Sequence, residues 1–331
     1  MTCLQLPVFL HLLADPQLAP GALRLELGGQ AADELAQMVA HPEFPEPISN
    51  FPRVIVQPQA ALLLPETLAA LQAAGYQVVD DSAIVVVDRL AGMTVPVSAS
   101  WVDGVWYLVP PAKPAAAQAA SRALALKLVQ LVVADADTRD IEDVLRQDPT
   151  LSYHLLRLVN SLGMGATRRI NSFAQAIMIL GRQQLRRWLN LMLFSARTDD
   201  QRTGMLLAQV MVRARSLELL ARETGLDRAT QDLAFMAGMF SMLGVLFGMP
   251  LPEVLKPLEI SDVLLDALLR RAGPLGGLLK AVELAEHRDV SGLVSQLDAL
   301  QLTPAQFTLV SFEAHQWMLT MVTNVRGSHE E

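Results

Sequence analysis

The side chains of this 331-residue chain best suited to hold a metal or attack a bond are six histidines and one cysteine. They are His11, His41, His154, His287, His315, His329 and Cys3. A metal-dependent phosphohydrolase with a helical core needs His and Asp in clusters, because those ligands hold the ions that activate water and bridge the phosphate. No two histidines stand three or four positions apart, and no His-Asp dipeptide occurs. The tripeptide His287-Arg288-Asp289 resembles part of a kinase catalytic loop, but the accompanying motifs are missing. There is no Gly-x-Ser-x-Gly, no Gly-rich loop ending in Gly-Lys-Ser/Thr, and no obvious base for Cys3, while Gly28-Gly29 reads as a turn. The expectation is a chain with no catalytic residue, no metal site and no cofactor, hence no enzyme.

The densest cationic groups are Arg182, Arg186 and Arg187, then Arg213 and Arg215. Guanidinium clusters of this kind can grip an acidic peptide, a phosphate or an acidic part of the same chain. The net charge of −8 is carried entirely by residues 1–112, with 3 Arg, no Lys and 11 acidic residues; the remainder is balanced. An acidic, Lys-free region has little with which to neutralise a phosphodiester backbone, so nucleic acid is not expected as a partner.

Elements must position these groups. Hydrophobic residues make up 52% of the chain and charged ones 18%, enough apolar material for large cores, and the length suits two domains. Apolar runs such as Ile84 to Val87 and Leu128 to Ala134 are too short to cross a bilayer, the N-terminus lacks a secretory pattern, and one cysteine excludes a disulfide framework. No membrane insertion is expected, and the cytoplasm is the expected compartment. Arg53 to Val56, a helix over Leu64 to Ala74 ending at Gly75, and Gln77 to Val79 form a strand, helix, strand unit. Ile84 to Val87 and Trp101 to Val109 add strands, giving a small, mostly parallel α/β sheet. Beyond Pro110-Pro111-Ala112-Lys113-Pro114 the pattern is helical, with helices expected near 202–224, 228–243, 261–271, 275–287 and 304–323. The expected fold is multi-domain, α/β over 1–112 and all-α over 113–331.

The runs Ile141 to Ser161, with Asp148-Pro149 and Asn160-Ser161, and Ile170 to Gly181 resemble the HDOD family, a relative of the HD superfamily without HD chemistry. Met211 to Leu220, Phe235 to Leu243 and Phe312 to Trp317 are similar to the combined EAL-plus-HDOD (YuxH-like) signalling group. The resemblance covers about residues 115–320 and implies a helical bundle that binds regulatory or signalling proteins. Where HD hydrolases carry a metal-binding His-Asp pair, it places Ser241 and Met242. Asp148, Pro149, Asn160, Ser161 and Gly181 then serve mainly structure: a helix start, a helix close and a helix break.

The N-terminal part resembles a truncated EAL domain, the cyclic-di-GMP phosphodiesterase fold, through the order of Val54 to Gln59, Leu68 to Gly75, Tyr76 to Asp81, Val86 to Asp88 and Gly104 to Pro110. The resemblance puts Gln57 or Gln59 where a Glu ligand is expected and Val86 where a Lys is expected. It implies a degenerate EAL-like domain joined to an HD-superfamily-like (HDOD) bundle, acting without catalysis in cyclic-di-GMP-related, motility or biofilm regulation. Two other readings are a degenerate receptor that binds cyclic-di-GMP without hydrolysis, and a residual metal-dependent phosphohydrolase.

Overall fold

The computed structural model describes residues 7–27, 51–90, 95–109, 127–131, 134, 136–147, 187, 201–258 and 260–327. Its first part is a six-stranded sheet of order β4-β3-β2-β1-β6-β5. The strands are β1 (Val8–Ala14), β2 (Pro20–Leu27), β3 (Arg53–Val56), β4 (Tyr76–Val79), β5 (Ile84–Val86) and β6 (Trp101–Asp103). Antiparallel pairing joins β1 to both β2 and β6; β2 with β3, β3 with β4 and β5 with β6 run parallel. The parallel pairs need crossovers, and α1 (Gln57–Ala60) and α2 (Pro65–Ala73) form the short one between β3 and β4. Each helix carries Pro in its first turn, where no backbone N–H is required.

The first fourteen residues, unassigned by pattern, hold the central strand β1, whose continuous apolar run fits a strand buried on both faces. The stretch Trp101 to Val109 is strand only to Asp103. Gly104 then turns the chain at φ 115°, a left-handed region that suits glycine, and a Cβ there would meet the Val87 carbonyl oxygen at 2.0 Å. Trp106–Leu108 follows as a 3₁₀ turn.

Among the described residues the second part is helical: α3 (Thr138–Gln147), α4 (Thr203–Glu223), α5 (Arg228–Ser241), α6 (Leu243–Phe247), α7 (Leu251–Leu255), α8 (Asp262–Arg270), α9 (Gly273–Glu286), α10 (Val290–Ala299) and α11 (Pro304–Gly327). Asp227, Ser261 and Asp289 cap α5, α8 and α10 by accepting a backbone N–H. Helix α10 falls outside the sequence expectation, since its start is hidden in the His287-Arg288-Asp289 break.

Helices α4 and α5 pack closely because Gly238 lets the backbones touch; a Cβ there would lie 2.5 Å from Cα of Ala214. The stretch Arg228–Phe247 is apolar and long enough to cross a membrane, yet Phe235, Phe240 and Phe247 are buried in the core. An α/β sheet followed by a helical region agrees with the expected layout. The buried apolar core runs from the sheet into the helices, joining β1 residues such as Phe9 and Leu10 to Met211, Leu279 and Phe312.

Candidate functional site

The sheet and the helices meet around a cavity of about 340 Å³, lined by β1, β6, the 3₁₀ turn, α4, the end of α9 and α11. Polar side chains from distant parts of the chain converge on it. Strand register makes His11 and Arg24 cross-strand partners, and Glu26 lies one step along beside Phe9. Cross-strand neighbours on a pleated sheet are close enough to share charges.

Asp103, 5% exposed at the end of β6, is the centre of this group. Its Oδ1 accepts the Gly104 N–H at 2.7 Å, and its Oδ2 accepts from Arg24 at 3.1 Å and from Arg288 at 2.8 Å. Arg288 extends to 3.5 Å from Glu26, which in turn lies 3.7 Å from Nε2 of His11. Burial opposes the charge on Asp103, but the Arg288 guanidinium outweighs it and holds the carboxyl below its usual range. Arg288 itself sits at φ 59°, between the end of α9 and the Asp289 cap of α10, a conformation that turns its side chain back toward the sheet.

A second network closes the other side. Tyr107 donates to Oε1 of Gln209 at 3.3 Å, and Nε2 of Gln209 donates to Glu286 at 2.9 Å. Arg213 donates to Glu286 through Nε at 2.8 Å and through a second nitrogen, and to the Ser241 hydroxyl at 2.8 Å. The Ser241 hydroxyl in turn donates to the Gly238 carbonyl at 2.7 Å. Burial works against the Arg213 charge, yet Glu286 keeps the guanidinium more firmly protonated than an ordinary arginine. Burial, reinforced by Glu286, pushes the Tyr107 hydroxyl well above its ordinary value.

Two buried imidazoles complete the wall. Burial, helped by Arg288, pushes His11 down to about 3. Burial pushes His315 down to about 4, although its Nδ1–H donates to the Ser311 carbonyl at 2.8 Å. Both are neutral at pH 7.

The candidates from sequence fall in several places. Arg213 lines the cavity. Arg187 donates to Glu218 at 2.9 Å and to Asp232, and lies 4.5 Å over the Phe235 ring. Arg215 holds Glu218 at 2.8 Å and Glu313 at 2.7 Å. These three cations therefore already grip carboxylates of the same chain. Arg182, Arg186, Asp148, Pro149, Asn160, Ser161 and Gly181 lie outside the described residues. Gln57 begins α1 on the surface, Val86 is 67% exposed at the cavity mouth, Ser241 is the Arg213 acceptor, and Met242 is buried in the core. Sequence reasoning missed Asp103, Glu286 and Arg288, although Arg288 stood within a tripeptide that had drawn notice for its chemistry; His11 and His315 had been weighed only as metal ligands, and nothing along the chain showed that they meet at one cavity.

Residues 121–257 match the HDOD domain family. The chain carries an HDOD domain. The chain is 31% identical over 183 residues to the Vibrio cholerae protein named cyclic di-GMP phosphodiesterase CdgJ, covering 55% of this chain and 42% of that one. It is 29% identical over 163 residues to the Bacillus subtilis protein YuxH, covering 48% and 39%. The chain thus spans less than half the length of these curated relatives. An HDOD domain protein of known structure from Geobacter sulfurreducens aligns with 65% of this chain and 92% of its own, at 17% identity and a TM-score of 0.37.

The domain match and the two curated relatives support a role in signalling, and they correct one expectation. A chain with no enzymatic role was inferred from absent motifs, whereas a relative at 31% identity bears the name of a phosphodiesterase. The physical reason is that motif counting registers ligands adjacent in sequence. The polar groups at this cavity come from distant positions along the chain, the bonded pair Asp103 and Arg288 alone being 185 residues apart.

Proposed function

We propose that this chain is a regulatory protein of cyclic-di-GMP-linked bacterial signalling, in which the HDOD region binds a regulatory partner protein and a truncated EAL-like region, residues 1–112, positions it. The observation that carries this reading is the joint between sheet and helices: one continuous apolar core and the Asp103–Arg288 pair bind the two parts. A helical module held this way feels any change at the sheet, which is what a regulatory input requires. The order of strands supports the EAL-like reading of the sheet, and the name of the Vibrio relative supports the pathway. Arg182 and Arg186, which lie outside the described residues, are the proposed partner contacts.

Affinity capture with the full chain, compared with an Arg182→Glu/Arg186→Glu double variant of unchanged melting temperature, tests the reading. Loss of one defined partner in the variant is expected; identical capture by both refutes the assignment.

The charged cavity and the phosphodiesterase name favour a second reading, hydrolysis of cyclic-di-GMP by this chain. Incubating purified protein with the dinucleotide and Mg²⁺ or Mn²⁺, then chromatography for the linear product, decides it. Turnover abolished by Asp103→Asn supports hydrolysis at this cavity, and an unchanged substrate peak excludes it.

A further inference from the structure

We propose that the cavity between the sheet and the helices is a binding site for a small zwitterion, an apolar α-amino acid. Three features of the wall select that class. At one place a carboxylate and a guanidinium stand side by side: Asp103 and Arg288 are 2.8 Å apart. Opposite charges in direct contact match a ligand whose ammonium and carboxylate are carried on a single carbon, and do not match one whose charges are widely spaced.

Both groups have capacity to spare. A carboxylate offers about four lone-pair sites, and Asp103 uses three of them, on Gly104, Arg24 and Arg288. Arg288 has five N–H donors; one bonds Asp103 and a second nitrogen lies 3.5 Å from Glu26, and with the side chain 36% exposed the remaining donors are reachable. Nε2 of the buried His11, on the same wall, has no hydrogen-bond partner.

The wall also carries charges of both signs in near balance. Arg213 and Arg288 face Asp103 and Glu286, and Asp88, exposed at the mouth, leaves the lining with one negative charge in excess. A ligand with net negative charge gains nothing from such a field, whereas a zwitterion meets a partner for each of its charges. The rest of the lining, including Leu10, Val212, Val282, Phe307 and Val310, is apolar and receives a hydrocarbon side chain. A volume of about 340 Å³ lies at the small end of ligand sites, the scale of a single amino acid.

The site stands independently of the signalling role and of any hydrolysis. Calorimetric titration and thermal-shift measurements on the full chain, with L-leucine and L-phenylalanine as probes, test it. Controls are 4-methylpentanoate, which lacks the ammonium group, and isopentylamine, which lacks the carboxylate. The expected result is saturable binding of at least one amino acid, with each half-ligand weaker by roughly tenfold or more. Arg288→Gln weakens that binding by a similar factor, and Val310→Phe, which fills the apolar end and leaves every charge in place, abolishes it. Absence of saturable binding of either amino acid up to about 10 mM overturns the proposal. So does equal binding of the half-ligands, or undiminished binding in both variants. The melting temperature of Arg288→Gln separates loss of the site from loss of the fold.

Discussion

Acid should loosen this protein well before its carboxylates titrate, and His315 is the residue through which to test that. It is 6% exposed on α11, and burial lowers its folded-state pKa to about 4 against about 6.5 in an unfolded chain. The folded protein therefore resists a proton that the unfolded chain accepts. The stability difference is absent above pH 6.5 and grows as pH falls from 6.5 toward 4, in total about 3 kcal/mol at 1.4 kcal/mol per unit. Between pH 6 and 4.5 the loss from His315 alone is about 2 kcal/mol. His11, lowered to about 3, acts in the same direction and steepens the fall. Asp103 acts lower: its folded pKa is depressed, so its contribution is intact above the unfolded value near 3.9 and is lost only as pH drops further. Urea unfolding at pH 7, 6, 5 and 4.5 measures the slope. His315→Gln keeps a polar side chain that does not titrate and should remove about 2 kcal/mol of the loss between pH 6 and 4.5. A wild-type protein equally stable at pH 6 and 4.5, or a variant with the wild-type slope, would refute the assignment.

Asp103→Ala should cost about 3 kcal/mol in urea denaturation, because it leaves Arg24 and Arg288 facing a buried site without their acceptor; Arg288→Ala, removing a partly exposed partner, should cost about 1 kcal/mol. Gly238→Ala should lower stability by about 3 kcal/mol by forcing α4 and α5 apart, whereas Gly225→Ala, at φ 75° with open space around it, should cost only about 1 kcal/mol of backbone strain. Equal losses in the two glycine variants would show that the helix crossing tolerates the added methyl. Glu286→Gln should destabilise the chain more than Arg215→Gln, since it strips the compensating charge from the fully enclosed Arg213, while Arg215 sits nearer to solvent. Chemical denaturation of the two variants in parallel checks the order.

Local structure was legible in the residues because its causes are local. A capping side chain acts within one helical turn, a proline acts on its own turn, and strand alternation repeats every two residues. Hence helices near 228–243 and 261–271, a helix end at Gly75 and a strand over Arg53 to Val56 could be read from the residues. The same signals failed where a break carried two meanings, as at His287-Arg288-Asp289, which ends α9 and caps α10 while sending Arg288 back to the sheet. They failed also at Trp101 to Val109, where Gly104 turns a β-branched and aromatic stretch out of the sheet.

The amino-acid sequence by itself determined that an acidic sheet region precedes a helical region with the letters of an HDOD domain, because composition and periodicity are properties of short stretches. Tertiary structure alone decided which charges meet. Asp103 and Arg288 are 185 positions apart and Tyr107 and Gln209 102 apart, separations at which no pattern along the chain carries information. Packing the helices against β1 brings those groups to one cavity. Burial there makes the two histidines neutral and the ion pairs costly to break, so chemistry that spacing could not reveal is set by desolvation and contact.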